Sequence, residues 1–369
     1  MKSTIGKSQK VDDLKFMKIA LQLGRQGLGR TEPNPMVGAV AVKNGKILSC
    51  GFHRAFGKKH AEAAALEKLA VSGATLYLTL EPCSHFGKTP PCVDLIIAKK
   101  VRRVVAAMID PNPLVNGTGM RKLRAHGIAT RVGVCREQAE RLNRHYLKAI
   151  RDHVPYVALH AGISLDGKLT DKAGRSRWVT SQEGRRYSHS LRGEFSAILA
   201  GRGNIEADNP FLTLREPGWE GKTLYRVVLD STNSLSKRLN IFKEQERFPL
   251  IIFSSRAAVD QRKKVPLHFF VGHDAHGLLL ADVLRELCQL GISSLLVEGG
   301  GKVLDSFIRE RLFDEMAVFF SNKIIGGRSS VQIFASGFPL DQAVELVDCH
   351  WSEFTDGAIL RGYRKCSPA

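Results

Sequence analysis

The sequence predicts two α/β domains in one chain of 369 residues. β-prone apolar runs alternate with segments of helical periodicity along almost the whole length, the pattern of strands packed between helices. The length is about twice that of a typical domain. With 43% hydrophobic and 25% charged residues, the composition is ordinary for a globular protein, so each half can bury its own core. We expect a first domain over residues 1–151 and a second over residues 152–369.

The first domain is expected to form three layers, with helices on both sides of a sheet. Apolar residues from Leu14 to Leu28 follow helical spacing after Asp12, a residue type favoured as an N-cap. Asn44-Gly45, the strongest short hairpin signal, joins apolar runs at 37–42 and 47–51. The elements then alternate as helix 60–70, strand 75–80, helix 92–99, strand 101–108, helix 119–126, strand 128–132 and helix 137–151.

In the second domain the alternation restarts after Pro155. The expected strands are 156–161, 197–200, 226–229, 250–253, 294–297 and 316–320, and the expected helices are 181–191 and 278–290. The polar stretch 235–249 has no clear period and is expected to be a surface loop.

Charge is unevenly distributed along the chain. Residues 1–150 hold 26 basic and 10 acidic residues, a net charge of +16 out of +19, which suits nucleic acid, an anionic membrane or a phosphorylated substrate. No run of ~18 apolar residues is present, and the polar start lacks the apolar stretch of a secretory signal. Seven scattered cysteines favour metal binding over a disulfide framework. We expect a cytoplasmic protein without a membrane partner.

Metal-ligand residue types cluster around the strand at 75–80. His60 opens a helix, and Cys83 and Cys92, each preceded by proline, flank a loop between a strand and a helix. Three protein ligands suit a catalytic zinc, because the fourth position stays open for water. Glu62, two residues past His60, is placed to move protons. H-x-E followed by two cysteines is the signature of zinc-dependent nucleobase deaminases, and it predicts one zinc ion per chain.

The spacing of the two cysteines departs from the common deaminase pattern. Eight residues separate Cys83 from Cys92 where two are usual, and the longer loop adds Lys88 and Thr89, which are phosphate-binding residue types. Taken singly, H-x-E is typical of a solvated helix face and a cysteine pair of core packing. A purely structural zinc is the alternative; it would need a fourth ligand, for which His85 is the nearby candidate.

Glycine-rich and loop motifs mark the second domain. A strand runs through Glu298 into Gly299-Gly300-Gly301 and then a helix, whose free N–H groups suit a pyrophosphate. The triple glycine alone equally indicates a turn, and it lacks the G-x-G-x-x-G spacing. Loops at 162–168 and 176–178 can close over a planar ligand. Core packing of Trp178 and a turn at 208–210 are the alternatives.

Several strings together resemble one family. TLEPCSHFGKTPPC with HAE upstream, PNPMVGAV at 33–40 and DPNPLVNGTG at 110–119 resemble the deaminase half of the bifunctional deaminase/reductases of riboflavin biosynthesis. SLDGK, SRW, ADNPFLT and VEGGG resemble the reductase half. The resemblance implies a cytidine-deaminase-like fold followed by a dihydrofolate-reductase-like α/β fold. It also implies zinc-dependent deamination of 2,5-diamino-6-(5-phosphoribosylamino)pyrimidin-4-one, then NADPH-dependent reduction to 5-amino-6-(5-phosphoribitylamino)uracil.

The same resemblance implies roles for individual residues. Zinc would be held by His60, Cys83 and Cys92, with Glu62 as proton donor. The deaminase substrate would contact Asn34, His53, Lys88 and Thr89. NADPH would contact Gly162, Trp178, Asn204, Asp208, Gly300, Gly301, Lys302, Val303 and Leu304. The ribosyl phosphate in the reductase would face Lys168, Ser176, Arg192, Leu212, Arg215 and Glu298.

Two other functions match parts of the sequence. A deaminase of tRNA or single-stranded nucleic acid with an accessory domain would use the +16 charge, but the cysteine spacing differs and the first domain has no Trp for base stacking. A zinc-stabilised RNA-binding or scaffold protein would have no use for Glu62. We therefore expect a phosphorylated aminopyrimidine ribosyl substrate rather than nucleic acid, and a homo-oligomer, either a dimer or a tetramer.

Overall fold

The structure is a computed structural model that divides into two compact units between Asp152 and His153. The residues it describes are 7–67, 70–86, 90–176, 179–180, 182–261, 267–327, 331–333 and 337–365. Among these residues, none of the helices combines the length and the hydropathy that crossing a membrane requires.

The first unit is a five-stranded sheet between two layers of helices. The strands are β1 (Gly38–Lys43), β2 (Lys46–Phe52), β3 (Thr75–Leu78), β4 (Arg103–Ala106) and β5 (Ala129–Val132). The helices are α1 (Lys7–Arg25), α2 (Ala61–Leu66), α3 (Cys92–Ala98), α4 (Thr118–Ala125), α5 (Arg136–Leu142) and α6 (Arg144–Asp152). The sheet order is β2-β1-β3-β4-β5, with β1 antiparallel to both neighbours and β3, β4 and β5 parallel.

Alternation along the strands produces the three layers. Ala41 and Leu76 pack on one face with α2, α3 and α4, whereas Val40 and Tyr77 pack on the other with α1, α5 and α6. Side chains of a strand point to opposite faces in turn, so both faces need apolar residues. The β1–β2 hairpin turns at Asn44-Gly45, both of which have positive φ, as this dipeptide predicts. The three-layer α/β prediction is confirmed.

The single helix expected over residues 137–151 is wrong, because the segment is broken at Asn143. There α5 ends and α6 begins, and Asn143 has φ −103°. Its buried side chain bonds to the main chain of Met36 instead of pointing to solvent. The asparagine amide has both a donor and an acceptor, so this one residue can satisfy both main-chain groups of Met36. Apolar periodicity continues across the break and therefore does not reveal it.

The second unit is built on a nine-stranded sheet. Its strands, and a separate two-residue pair β11–β12, are β6 (Tyr156–Ile163), β7 (Ala197–Gly201), β8 (Tyr225–Leu229), β9 (Leu250–Ser255), β10 (Leu267–Val271), β11 (His273–Asp274), β12 (Gly277–Leu278), β13 (Ser294–Val297), β14 (Glu315–Ser321), β15 (Leu346–Phe354) and β16 (Gly357–Arg364). The helices are α7 (Gln182–Arg192), α8 (Arg202–Asp208), α9 (Leu280–Gln289) and α10 (Gly301–Arg309). The order is β10-β9-β8-β7-β13-β6-β14-β16-β15, parallel from β10 to β14 and antiparallel beyond.

Helices cover both faces of this sheet. One face packs against α9 and α10, and the other against α7 and α8. Part of the segment 235–249, expected as a surface loop, instead contributes Leu235, Ile241 and Phe248 to the core. These three apolar residues are unevenly spaced around a short 3-10 turn, so no periodicity marked them.

Hydrogen bonds from Arg226 in β8 join the segment 235–249 to the sheet. Its guanidinium is fully buried and donates hydrogen bonds to the main-chain carbonyls of Phe211, Lys243 and Phe248, at 2.6–3.0 Å. Burial lowers the pKa of Arg226 to about 10. A buried cation needs partners, and here carbonyl dipoles supply them.

Candidate functional site

Three short connections bring His60, Cys83 and Cys92 together in the first unit. His60 is the N-cap of α2, Cys83 lies in the loop after β3, and Cys92 is the first residue of α3. Their ligand atoms lie within 4.8 Å of one another. His60 Nδ1 is 3.3 Å from Cys92 Sγ and 3.6 Å from Cys83 Sγ. Nitrogen and sulfur ligands of one tetrahedral zinc are about 3.5 Å apart, so the three residues fit the metal.

The arrangement favours an open zinc site over a closed one. Among the residues described, the group of candidate ligands consists of these three and does not include His85. His85 lies on the wall of the adjoining cavity. A structural zinc needs a fourth protein ligand, and this geometry does not offer His85 for that place.

Glu62 is buried beside the three ligands. It is 4% exposed and lines the same cavity. Burial raises the pKa of Glu62 to about 7, and the nearby Cys83 adds to the effect. A carboxyl with a pKa near neutrality can both accept and donate a proton at neutral pH. Hydrogen bonds from Cys92 and His60 lower the pKa of the Cys83 thiol, which favours the thiolate that binds metal.

A cavity of about 230 Å³ adjoins this cluster and contains Asn34 and His53 on its wall. The Asn34 amide lies 3.3 Å from His53 Nε2, and His53 Nδ1 lies 3.0 Å from the carbonyl of Lys59. A carbonyl only accepts, so Nδ1 carries the proton and Nε2 accepts from Asn34. Burial lowers the pKa of His53, which keeps the ring neutral. Lys88 and Thr89 lie outside the described residues.

Sequence reasoning missed an acidic network that also lines this cavity. Glu81 accepts hydrogen bonds from the main-chain N–H groups of Asp110 (3.2 Å), Gly117 (2.8 Å) and Met120 (3.1 Å). Tyr146 donates its hydroxyl to Asp110 at 2.8 Å. The strings TLEPC and DPNP contained the signal for the two carboxylates, because each places an acidic residue in the loop that follows a strand.

In the second unit, the carboxyl ends of β7, β13 and β6 lie side by side. This edge carries Gly162, Asn204, Glu298 and Gly300, and ligands of parallel sheets bind at such edges. Gly300 is the N-cap of α10, and a Cβ built on it meets no atom within 4 Å. The main chain at this helix N-terminus is therefore open to a phosphate, which fits NADPH.

Other residues expected at the NADPH site take different positions. Leu304 is 1% exposed in the core, and Val303 packs against Gly299, so these two would serve through main-chain atoms. Asn204 and Ser176 both donate hydrogen bonds to Asp208, at 3.1–3.3 Å. The first turn of α10 holds Gly301 and Lys302 as well, and Trp178 lies outside the described residues.

Arg192 and Glu298 form a partly buried ion pair. Arg192 donates Nε and an Nη to the two carboxylate oxygens at 2.9 and 2.7 Å, and its other Nη donates to the carbonyl of Thr213. Burial opposes the charge on Glu298, but Arg192 outweighs this and lowers the pKa of Glu298. Lys168 and Leu212 are buried, whereas Arg215 stacks on the ring of Phe211.

Comparison with known proteins places both units in one family. The model of the RibD C-terminal domain matches residues 155–360, and that of the cytidine and deoxycytidylate deaminase zinc-binding region matches residues 10–108. Riboflavin biosynthesis protein RibD of Aquifex aeolicus is 41% identical over 323 residues, covering 86% of this chain and 89% of the relative. The chain belongs to the RibD family. RibD of Escherichia coli is 37% identical over 332 residues, covering 86% and 89%.

Solved RibD structures agree with the fold. A diaminohydroxyphosphoribosylaminopyrimidine deaminase/5-amino-6-(5-phosphoribosylamino)uracil reductase from Thermotoga maritima superposes with a TM-score of 0.84 at 36% identity, covering 97% of this chain and 99% of that one. RibD of Acinetobacter baumannii gives 0.86 at 31% identity, covering 96% and 99%. As a RibD protein, the chain is a deaminase and a reductase of riboflavin biosynthesis, with zinc and NADPH as cofactors.

Proposed function

We propose that residues 1–151 deaminate 2,5-diamino-6-(5-phosphoribosylamino)pyrimidin-4-one and that residues 152–369 reduce the product to 5-amino-6-(5-phosphoribitylamino)uracil. One observation carries the first half: the ligand atoms of His60, Cys83 and Cys92 surround one point, with Glu62 buried beside them. Zinc bound there supplies the Lewis acidity that activates water. This is the composition of a hydrolytic deaminase site.

The chain's own groups transfer protons and hold the base. Deamination replaces an amino group by oxygen from water and releases ammonia, so a proton must pass from the water to the leaving nitrogen. Glu62 is the group placed to carry it. Asn34 and the Nε2 side of His53 lie in the cavity and would orient the pyrimidine. Lys88 and Thr89, in the loop between the cysteines, would bind the phosphate.

In the reductase, residues mainly position the reactants. When bound, NADPH would provide the hydride that reduces C1 of the ring-opened, imine form of the ribosylamine. The cofactor would lie along the β7–β13–β6 edge, where the main chain at Gly300 is open. We assign the ribosyl phosphate side of this site to Lys168, Ser176, Arg192, Leu212, Arg215 and Glu298.

We propose a cytoplasmic homo-oligomer, a dimer or tetramer, that does not require nucleic acid. The described cysteines form no disulfide with one another, which suits a reducing compartment. The outermost strand β15 is largely exposed along its length, as an edge available for pairing. Light scattering on the purified protein tests the oligomer, and a mobility shift on tRNA tests nucleic-acid binding.

The decisive experiment separates the two steps. Glu62→Ala is expected to retain one zinc per chain and lose deamination, whereas Cys83→Ser and His60→Ala are expected to lose zinc. NADPH oxidation with the deaminated intermediate should be unchanged in all three variants. A zinc-loaded Glu62→Ala enzyme that deaminates at the wild-type rate would exclude the role of Glu62.

A further inference from the structure

The α5–α6 corner, residues 143–146, lies against two walls of the deaminase cavity. Three of its four side chains are buried and hydrogen-bonded to segments that line the cavity. Asn143 bonds to Met36, His145 Nδ1 lies 2.7 Å from the Glu32 carboxylate, and Tyr146 bonds to Asp110.

Asn143 makes the two hydrogen bonds to the main chain of Met36 that a neighbouring β-strand would otherwise make. Its Oδ1 accepts from the Met36 N–H at 2.7 Å, and its Nδ2 donates to the Met36 carbonyl at 3.1 Å. Pro33 and Pro35 have no N–H, so the segment before β1 has few donors with which to pair. Asn143 is 1% exposed, and at that depth both bonds are sheltered from competing water.

The contact between Asn143 and Met36 is linked to the zinc ligands through Asn34 and His53. Asn34 lies two residues before Met36 and donates its amide to His53 Nε2. The ring of His53 lies 5.4 Å from that of the zinc ligand His60. A shift of the main chain at Met36 would therefore move the Asn34 amide relative to the metal ligands. Asn143 itself is not among the described side chains that line the cavity.

We infer that Asn143 is a positioning residue of the deaminase: it holds the wall that carries Asn34 at the place where the substrate base binds. The inference rests on the deaminase function proposed above. Because Asn143 acts through Met36 and Asn34, its loss should weaken substrate binding while zinc and Glu62 stay in place. Tyr146 lines the cavity, so a change there would mix direct and indirect effects.

The test compares Asn143→Asp with Leu147→Ala in the zinc-loaded full chain. The aspartate loses the donor to the Met36 carbonyl at nearly constant size. Leu147 is buried in α6, four residues after Asn143, so its truncation destabilises the unit but removes neither hydrogen bond between Asn143 and Met36. We expect Asn143→Asp to raise the deaminase KM by about ten- to a hundredfold, with kcat changed less, zinc content at wild type and the reductase rate unchanged. Leu147→Ala should lower the melting temperature and leave KM near wild type.

Several results would overturn the inference. An unchanged KM in Asn143→Asp, or an equal rise of KM in Leu147→Ala, would show that Asn143 only supports the fold. Asn143→Ala, which buries no charge, repeats the test if the aspartate variant folds poorly. Loss of zinc in both Asn143 variants would also refute a positioning role. Failure of the wild-type chain to deaminate is a separate result and would refute the proposed function instead.

Discussion

Replacing Glu81 by glutamine should loosen the wall of the deaminase cavity formed by residues 110–120. The carboxylate accepts three main-chain N–H groups, from Asp110 and Gly117 on Oε2 and from Met120 on Oε1. Glutamine keeps the shape but offers one accepting oxygen. With that oxygen at the Oε2 position, the Met120 N–H faces an amide NH₂ and loses its acceptor.

The expected cost follows from these three bonds. A buried N–H without an acceptor costs about 1–3 kcal/mol, and each of the other two bonds loses charge assistance of about 1 kcal/mol. A total of about 3–5 kcal/mol corresponds to roughly a hundred- to five-thousandfold rise in local opening. Hydrogen exchange measured by mass spectrometry on a peptide covering 110–120 reports this opening directly.

A matched control removes the same charge at the surface. Glu67 pairs with Lys59 where both side chains are exposed, so Glu67→Gln should change exchange by less than about fivefold. In Glu81→Gln, a peptide covering α1 should exchange as in wild type, because only the segment held by the carboxylate is released. If exchange at 110–120 stays at the wild-type rate, the three hydrogen bonds do not hold this wall, and the reasoning fails.

Three further predictions concern stability, cofactor and phosphate. Hydrogen bonds from Arg103 and Tyr77 outweigh burial and hold the pKa of Asp13 below its usual range. The ionised form therefore stabilises the fold above about pH 4, and this stabilisation is lost as pH falls through the folded-state pKa. Urea titrations should show Asp13→Asn less stable than wild type by about 3 kcal/mol at pH 7, and a difference that does not shrink in acid would contradict this. NADPH at ~100 times its Kd should stabilise the second unit by about 2.7 kcal/mol in thermal unfolding, and an equal shift with NADH would argue against the cofactor preference. Lys88→Ala should lower deaminase kcat/KM by about ten- to a hundredfold and spare the reductase; equal slowing with the dephosphorylated riboside would show that Lys88 does not bind phosphate.

Local chemistry was predictable from the sequence, whereas long-range main-chain contacts were not. His60, Cys83 and Cys92 could be identified because ligand type and order along the chain are themselves the signal of a zinc site. The contact of Asn143 with Met36 joins residues 107 apart, and that of Glu81 with Gly117 joins residues 36 apart. No periodicity or local motif indicates which main-chain groups these two side chains contact.

In the second unit, too, regular apolar patterns could be interpreted from the sequence, whereas polar or irregular segments could not. Six of the seven parallel strands were predictable from apolar runs, which strands buried on both faces require, whereas the edge strand β10 was not among the expected strands. The exposed hairpin of β15 and β16 was missed because its outer strand is polar and carries no alternation. The buried part of 235–249 was missed because irregular spacing hides its three core residues.

Main-chain groups are the hydrogen-bond partners of three buried or partly buried side chains, those of Asn143, Glu81 and Arg226. This affects which substitutions related sequences can accept. Each binds main-chain N–H or carbonyl groups, so the side chain of the residue opposite takes no part in the hydrogen bond. No compensating substitution at Met36, Gly117 or Phe248 can restore a lost side chain. Such a contact constrains the residue type at only one of its two positions, so methods that infer contacts from correlated substitutions do not detect it.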